Sequence, residues 1–181
     1  KGHTVFIEDA IETNNYMYKN LIMKTMRSMS GLNTDQSPAC FWITQPNNIF
    51  IDNHAAGSDR YGFWYDLQTH SIGPSANTNL CPENDKVGEF RGNSAHSMGR
   101  YGLRIFHNMV PREFPCKGIS YDASTPDDPW WKNRPITANF DDFTGWRNKR
   151  NGAIAEKVGD VRFNNFKTAD NMLSGAEFAE T

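Results

Sequence analysis

Long hydrophobic runs are missing from this chain. No stretch approaches the ~18 consecutive apolar residues of a membrane-spanning helix, and mean hydropathy is −0.69 with 38% hydrophobic residues. No membrane contact is expected. Neither sign of charge dominates: 19 Lys and Arg face 21 Asp and Glu, leaving a net charge of −2. Nucleic-acid binding would leave a basic footprint that is absent. Cysteine is scarce, with Cys40, Cys81 and Cys116 in 181 residues. There is no Cys-x-x-Cys and no His pair at ligand spacing along the chain, so no metal site is expected. Nothing indicates calcium or another cofactor. No Asn-x-Ser/Thr sequon, Ser-His-Asp order or phosphate-binding loop occurs, and no active site is legible. An enzyme is therefore not the leading expectation. The chain opens on Lys1 without a signal peptide, and Ser174-Gly175-Ala176-Glu177-Phe178 breaks off as a new repeat begins. With no polar caps in view, residues 1–181 are expected to form one segment of a larger protein.

A repeat stands out instead. Phe50/Gly62, Phe90/Gly102, Phe140/Gly152 and Phe163/Gly175 share one spacing. Asn53, Ala55, Arg60 and Tyr61 recur in the second copy as Asn93, Ala95, Arg100 and Tyr101. A unit recurring every few tens of residues marks a solenoid. The interval from Phe140 to Phe163 suits one bare turn of a β-helix, three short strands with corners. The intervals Phe50 to Phe90 and Phe90 to Phe140 are longer, and polar or proline-rich insertions fill them, Gln68 to Lys86 and His107 to Pro135. The expected fold is all-β: a right-handed parallel β-helix of about five rungs with two long loop insertions on one side. Tyr16 to Met23 is expected as one strand in preference to a helix. Other strand-like runs are His3–Ile7, Phe41–Thr44, Ile49–Asn53, Gly62–Leu67, Val87–Asn93, Gly102–Phe106, Ile136–Phe140, Gly152–Glu156 and Gly159–Phe163. Asn53 and Asn93 are expected to stack as an amide ladder.

Several residues invite a functional reading beside a structural one. Arg60, Arg100 and Arg150 share one repeat position, about 5 Å apart on adjacent rungs. They suit a groove for an acidic polysaccharide, whose carboxylates match the guanidinium fork. The alternative is pairing with Asp59, Asp66, Glu89 or Asp142. Trp130 and Trp131 form either a platform for sugar rings or a partner, or packing that folds a long loop onto the wall. His96 is either an acid/base group or a hydrogen-bonded corner residue. A glycoside hydrolase needs two carboxylates roughly 5–10 Å apart, and Glu8, Asp9, Glu12, Asp52, Asp59, Asp141 and Asp142 are candidates. Cys81 and Cys116 fall in the two insertions, so a disulfide between them is expected, against three reduced thiols.

Phe41-Trp42-Ile43-Thr44-Gln45-Pro46-Asn47-Asn48, Ala55-Ala56-Gly57-Ser58, Gly62-Phe63-Trp64-Tyr65 and Gly73-Pro74-Ser75 occur in order. So do Gly88-Glu89-Phe90, Asn93-Ser94-Ala95-His96-Ser97 and Gly99-Arg100-Tyr101-Gly102-Leu103. These blocks resemble the β-helix region of the family of fibrocystin-L and the cell-surface hyaluronidases. The resemblance implies a parallel β-helix in the extracellular part of a very large cell-surface protein. It implies a coat or recognition element with other domains of the same chain, acidic polysaccharide or neighbouring copies as partners. The rival it implies is an enzyme that degrades hyaluronan.

Overall fold

The computed structural model describes residues 1–29, 33–117 and 133–180. Short strands follow one another as β1 (Val5–Ile7), β2 (Tyr16–Tyr18), β3 (Leu21–Thr25), β4 (Ala39–Ile43), β5 (Ile49–Ile51) and β6 (His54–Ser58). They continue as β7 (Tyr61–Tyr65), β8 (Glu89–Arg91), β9 (Ser94–Met98), β10 (Leu103–Ile105), β11 (Ala138–Asp141) and β12 (Thr144–Trp146). β13 (Ala153–Glu156), β14 (Val161–Asn164), β15 (Lys167–Ala169) and β16 (Ala176–Ala179) complete the order. Every third strand pairs in parallel. The first sheet runs β1-β4-β7-β10-β13-β16, the second β14-β11-β8-β5-β2 and the third β15-β12-β9-β6-β3. The chain is thus a parallel β-helix, with five three-strand turns and the first strand of a sixth among the described residues.

The repeat frame is written by contacts between rungs. Phe50 lies opposite Phe90, and Phe140 opposite Phe163, along the second sheet. The Phe90 and Phe140 rings are 5.2 Å apart, and Phe50, Phe90 and Phe140 are fully buried. Each such ring removed from water stabilises the fold by about 1.5–3 kcal/mol. The repeat glycines stack where the first sheet begins. A Cβ at Gly62 would stand 2.5 Å from the Gly102 carbonyl oxygen, and one at Gly102 would meet the Gly152 oxygen at 2.5 Å. Backbone on backbone leaves no room for a side chain there.

The corners explain the rest of the unit. Between the second and third sheets, Lys19, Asp52, Gly92, Asp142 and Asn165 all have positive φ, from 51° to 67°. A single left-handed residue turns the chain, and Asp, Asn and Gly tolerate it best. Next to it sits the amide ladder. Asn53 donates from its backbone N (2.9 Å) and Nδ2 (3.0 Å) to Asn93 Oδ1. Asn20 does the same to Asn53 Oδ1.

Two expectations on strand boundaries need correction. Tyr16 to Met23 is two strands, because Lys19 takes the left-handed corner conformation with φ of 54°. The second to fifth turns also have a third strand, β6, β9, β12 or β15, that the expected strand-like runs omit. His54-Ala55-Ala56-Gly57-Ser58 and its counterparts have little intrinsic strand preference; β6, β9 and β12 are held by pairing on both sides and β15 by pairing with β12. Both long insertions leave the same corner, β7 to β8 and β10 to β11. A disulfide between Cys81 and Cys116, with Cα atoms 5.4 Å apart, joins them. Cys40 is a buried free thiol, pushed up to about 11 by burial.

Candidate functional site

Arg60, Arg100 and Arg150 stand on successive rungs at the corner between the third and first sheets. The Arg100 backbone N donates to the Arg60 oxygen at 2.8 Å, and the Arg150 N to the Arg100 oxygen at 3.0 Å. Backbone pairing therefore fixes their spacing. Beside Arg60 lies a cleft of about 300 Å³ that Arg27, Asp59, Ser97 and Lys149 also line. The four carboxylates considered as partners are engaged elsewhere. Asp59 accepts from the Arg27 backbone N at 2.8 Å and lies 3.6 Å from Arg27 Nε. Glu89 pairs with Arg91 at 2.9 Å, and Asp142 accepts from Asn165 Nδ2 at 2.5 Å. Asp66 accepts from Trp42 Nε1 at 3.0 Å. Among the described residues, none of the three repeat arginines makes an ion pair. Arg150 Nη1 donates to the Tyr101 hydroxyl at 3.4 Å, while the Arg60 Nε is buried with no hydrogen-bond partner among them.

A second cleft, of about 420 Å³, crosses the outer face of the first sheet. Glu8, Asp9, Thr34, Trp42, Asp66 and Ile72 are among its walls. Asp66 is 4% exposed, and His107 Nε2 lies 3.7 Å from its Oδ1. Burial raises the Asp66 carboxyl above its ordinary range, opposed by the Trp42 hydrogen bond and by the charges of His107 and Arg104. The two clefts share no lining residue. Of the other carboxylate candidates, Asp141 accepts from Asn164 Nδ2 at 2.8 Å, and Asp52 sits exposed at its corner. Asp59 thus shares a cleft with Arg60, while Glu8, Asp9 and Asp66 line the other.

The outer face of the first sheet carries a layer that the strand pattern hid. Trp42, Tyr61, Trp64, Tyr101 and Ile154 are buried there, outside the main core. His3 stacks on Trp42 at 4.5 Å, and Arg104 crosses the layer with Nη1 donating to the Tyr61 hydroxyl at 2.9 Å and Nε 3.2 Å from Glu156. The available signal was the unbroken apolar run in Phe41-Trp42-Ile43 and Phe63-Trp64-Tyr65, since a strand covered on both faces does not alternate.

His96 sits on the outer face of the third sheet, stacked on Trp146 at 4.5 Å. Trp130 and Trp131 lie outside the described residues. Among the described residues no helix is long and apolar enough to cross a membrane, and no group of three or more His, Cys, Asp or Glu is placed to hold a metal ion.

Comparison with known proteins places this architecture. The family model for the CEMIP β-helix matches residues 1–103. The chain belongs to the CEMIP β-helix family. Mouse fibrocystin-L is 38% identical over 177 residues, covering 98% of this chain. Human cell surface hyaluronidase CEMIP2 is 31% identical over 212 residues, also covering 98% of the chain. Mouse cell migration-inducing and hyaluronan-binding protein is 29% identical over 178 residues, covering 89% of it. The chain spans 4%, 15% and 12% of the lengths of these three relatives. The family thus accounts for the helical frame, while most of each relative lies beyond the matched region.

Proposed function

We propose that this CEMIP-family β-helix is a structural and recognition segment of a larger extracellular or cell-surface protein. Its arginine corner binds an acidic polysaccharide. The observation that carries this reading is the set of Arg60, Arg100 and Arg150 at one-rung spacing, none of them ion-paired among the described residues. Stacked guanidinium groups repel one another, and an anionic chain along the corner relieves that repulsion while giving each fork a carboxylate. Arg27 and Lys149 extend the positive ground beside Arg60. Names of two relatives, a cell surface hyaluronidase and a hyaluronan-binding protein, agree in ligand class. The test is binding of hyaluronan oligosaccharides to the chain across a salt series. Affinity that falls with salt, and that the triple variant R60A/R100A/R150A lacks, is the expected result. Equal binding by the triple variant, once circular dichroism confirms its fold, would refute the assignment.

A second reading, cleavage of such a chain, draws on the raised Asp66 carboxyl in a cleft with Glu8 and Asp9. A desolvated carboxylic acid near other carboxylates is what a glycosidase requires. Size-resolved digestion separates the two readings. Chain shortening that stops in D66N supports cleavage, and intact hyaluronan leaves recognition as the function.

A further inference from the structure

The third sheet carries a side-chain cluster that the arginine corner does not use. His54 on β6 and His96 on β9 belong to adjacent rungs, and both project from the outer face. Their ring centres lie 5.1 Å apart. Trp146, on the next rung, stacks against His96 and stands 5.8 Å from His54. Each imidazole is oriented through Nδ1 by a serine: His54 by Ser94 Oγ, and His96 by Ser97 Oγ at 3.0 Å. Both Nε2 atoms are left without a hydrogen-bond partner among the described residues, and neither is sealed from solvent.

We propose that His54 and His96 form a bidentate site for a borderline divalent transition-metal ion of the zinc and copper class. The spacing carries it. An ion held tetrahedrally at about 2.0–2.1 Å from two imidazole nitrogens sets the ring centres about 5 Å apart, which is the separation found. Ligand type agrees, since imidazole suits zinc and copper and ill suits calcium or magnesium. The serine contacts are the second-shell arrangement of metal-binding histidines, in which the other ring nitrogen is tied and the ring orientation fixed. With two protein ligands, solvent or a donor from a second molecule fills the remaining positions, so the ion is exchangeable. The pair is invisible along the chain because His54 and His96 meet only through strand register.

Isothermal titration of the chain with Zn²⁺, and separately with Cu²⁺, in a non-coordinating buffer at neutral pH tests this. About one equivalent should bind, with affinity at least tenfold lower in H54A and in H96A and unchanged in H70A and H107A. Ser94→Ala should weaken binding about 10- to 100-fold by releasing the His54 ring. Paramagnetic broadening by Cu²⁺ in the unsubstituted chain provides a readout that needs no variant, and His54, His96 and Trp146 signals should vanish first. Broadening centred on another histidine, an unchanged isotherm in H54A/H96A, or no uptake by the unsubstituted chain would each overturn the proposal.

Discussion

Replacing Asn93 with Ala is the sharpest test of the amide ladder. Asn93 is fully buried. Its Oδ1 accepts from the Asn53 backbone N at 2.9 Å and from Asn53 Nδ2 at 3.0 Å, and its Nδ2 donates to the Phe50 oxygen at 2.8 Å. Truncation leaves two donors and one acceptor short of a partner in a site closed to water. A buried polar group left unsatisfied costs about 1–3 kcal/mol. Asn53 Nδ2 keeps its bond to the Met17 oxygen, which softens one of the three losses. The expected destabilisation is about 3–5 kcal/mol, large against the whole stability of a domain. Asn20, at the exposed end of the same ladder, provides the internal control. It donates to Asn53 Oδ1, and water can replace what it gives, so N20A should cost about 1 kcal/mol or less. Urea unfolding followed by far-UV circular dichroism and tryptophan fluorescence measures both. The reasoning fails if N93A loses less than about 1 kcal/mol, or if N20A and N93A cost the same.

Gly102→Ala should destabilise the fold by about 1–3 kcal/mol or more, because its Cβ would meet the Gly152 carbonyl oxygen at 2.5 Å and packed backbone yields little; the same urea titration reads it. Replacing Cys81 and Cys116 together with Ser opens a bridge between residues 35 apart in sequence, for which chain entropy gives about 4 kcal/mol as the upper range. Hydrogen exchange should rise in the insertion around Cys81 while β4, β7 and β10 keep their protection, and a uniform loss across the strands would contradict a local staple. Burial lowers His3 from 6.5 to about 4. The unfolded chain thus takes up a proton over that window that the folded chain refuses. The stability contributed by neutral His3 is complete above pH 6.5 and is lost as pH falls toward 4, by about 3 kcal/mol at most. A pH series of melting temperatures should slope less in H3Q, and identical slopes would refute this role.

The rung frame was legible because it rests on backbone demands that leave few choices of residue. Only Gly fits at Gly62 and Gly102, where the Gly102 and Gly152 carbonyls of the next rung approach, and Asn is the side chain that both accepts from and donates along a stack of corners. The two insertions were legible from proline and polar content, and the strand order places both at one corner. What escaped was set by neighbours. Ser94-Ala95-His96-Ser97-Met98 becomes a strand because β6 and β12 flank it, and a window of small and polar residues does not announce that. Lys19 turns a corner without Gly, Pro or Asp to mark it. The Arg stripe followed from the repeat, but the distribution of Asp59, Asp66, Glu89 and Asp142 among other partners depends on side-chain directions that spacing does not encode. The Asp66 cleft joins the first corner, the sheet face and an insertion, far apart in sequence.

Residue-resolved mapping of a hyaluronan oligosaccharide on the isotopically labelled chain tests the central claim most directly. The account predicts shift changes centred on Arg27, Arg60, Arg100, Lys149 and Arg150, weakening as salt is added. Changes centred instead on Glu8, Asp9 and Asp66, or none at saturating oligosaccharide, would contradict it.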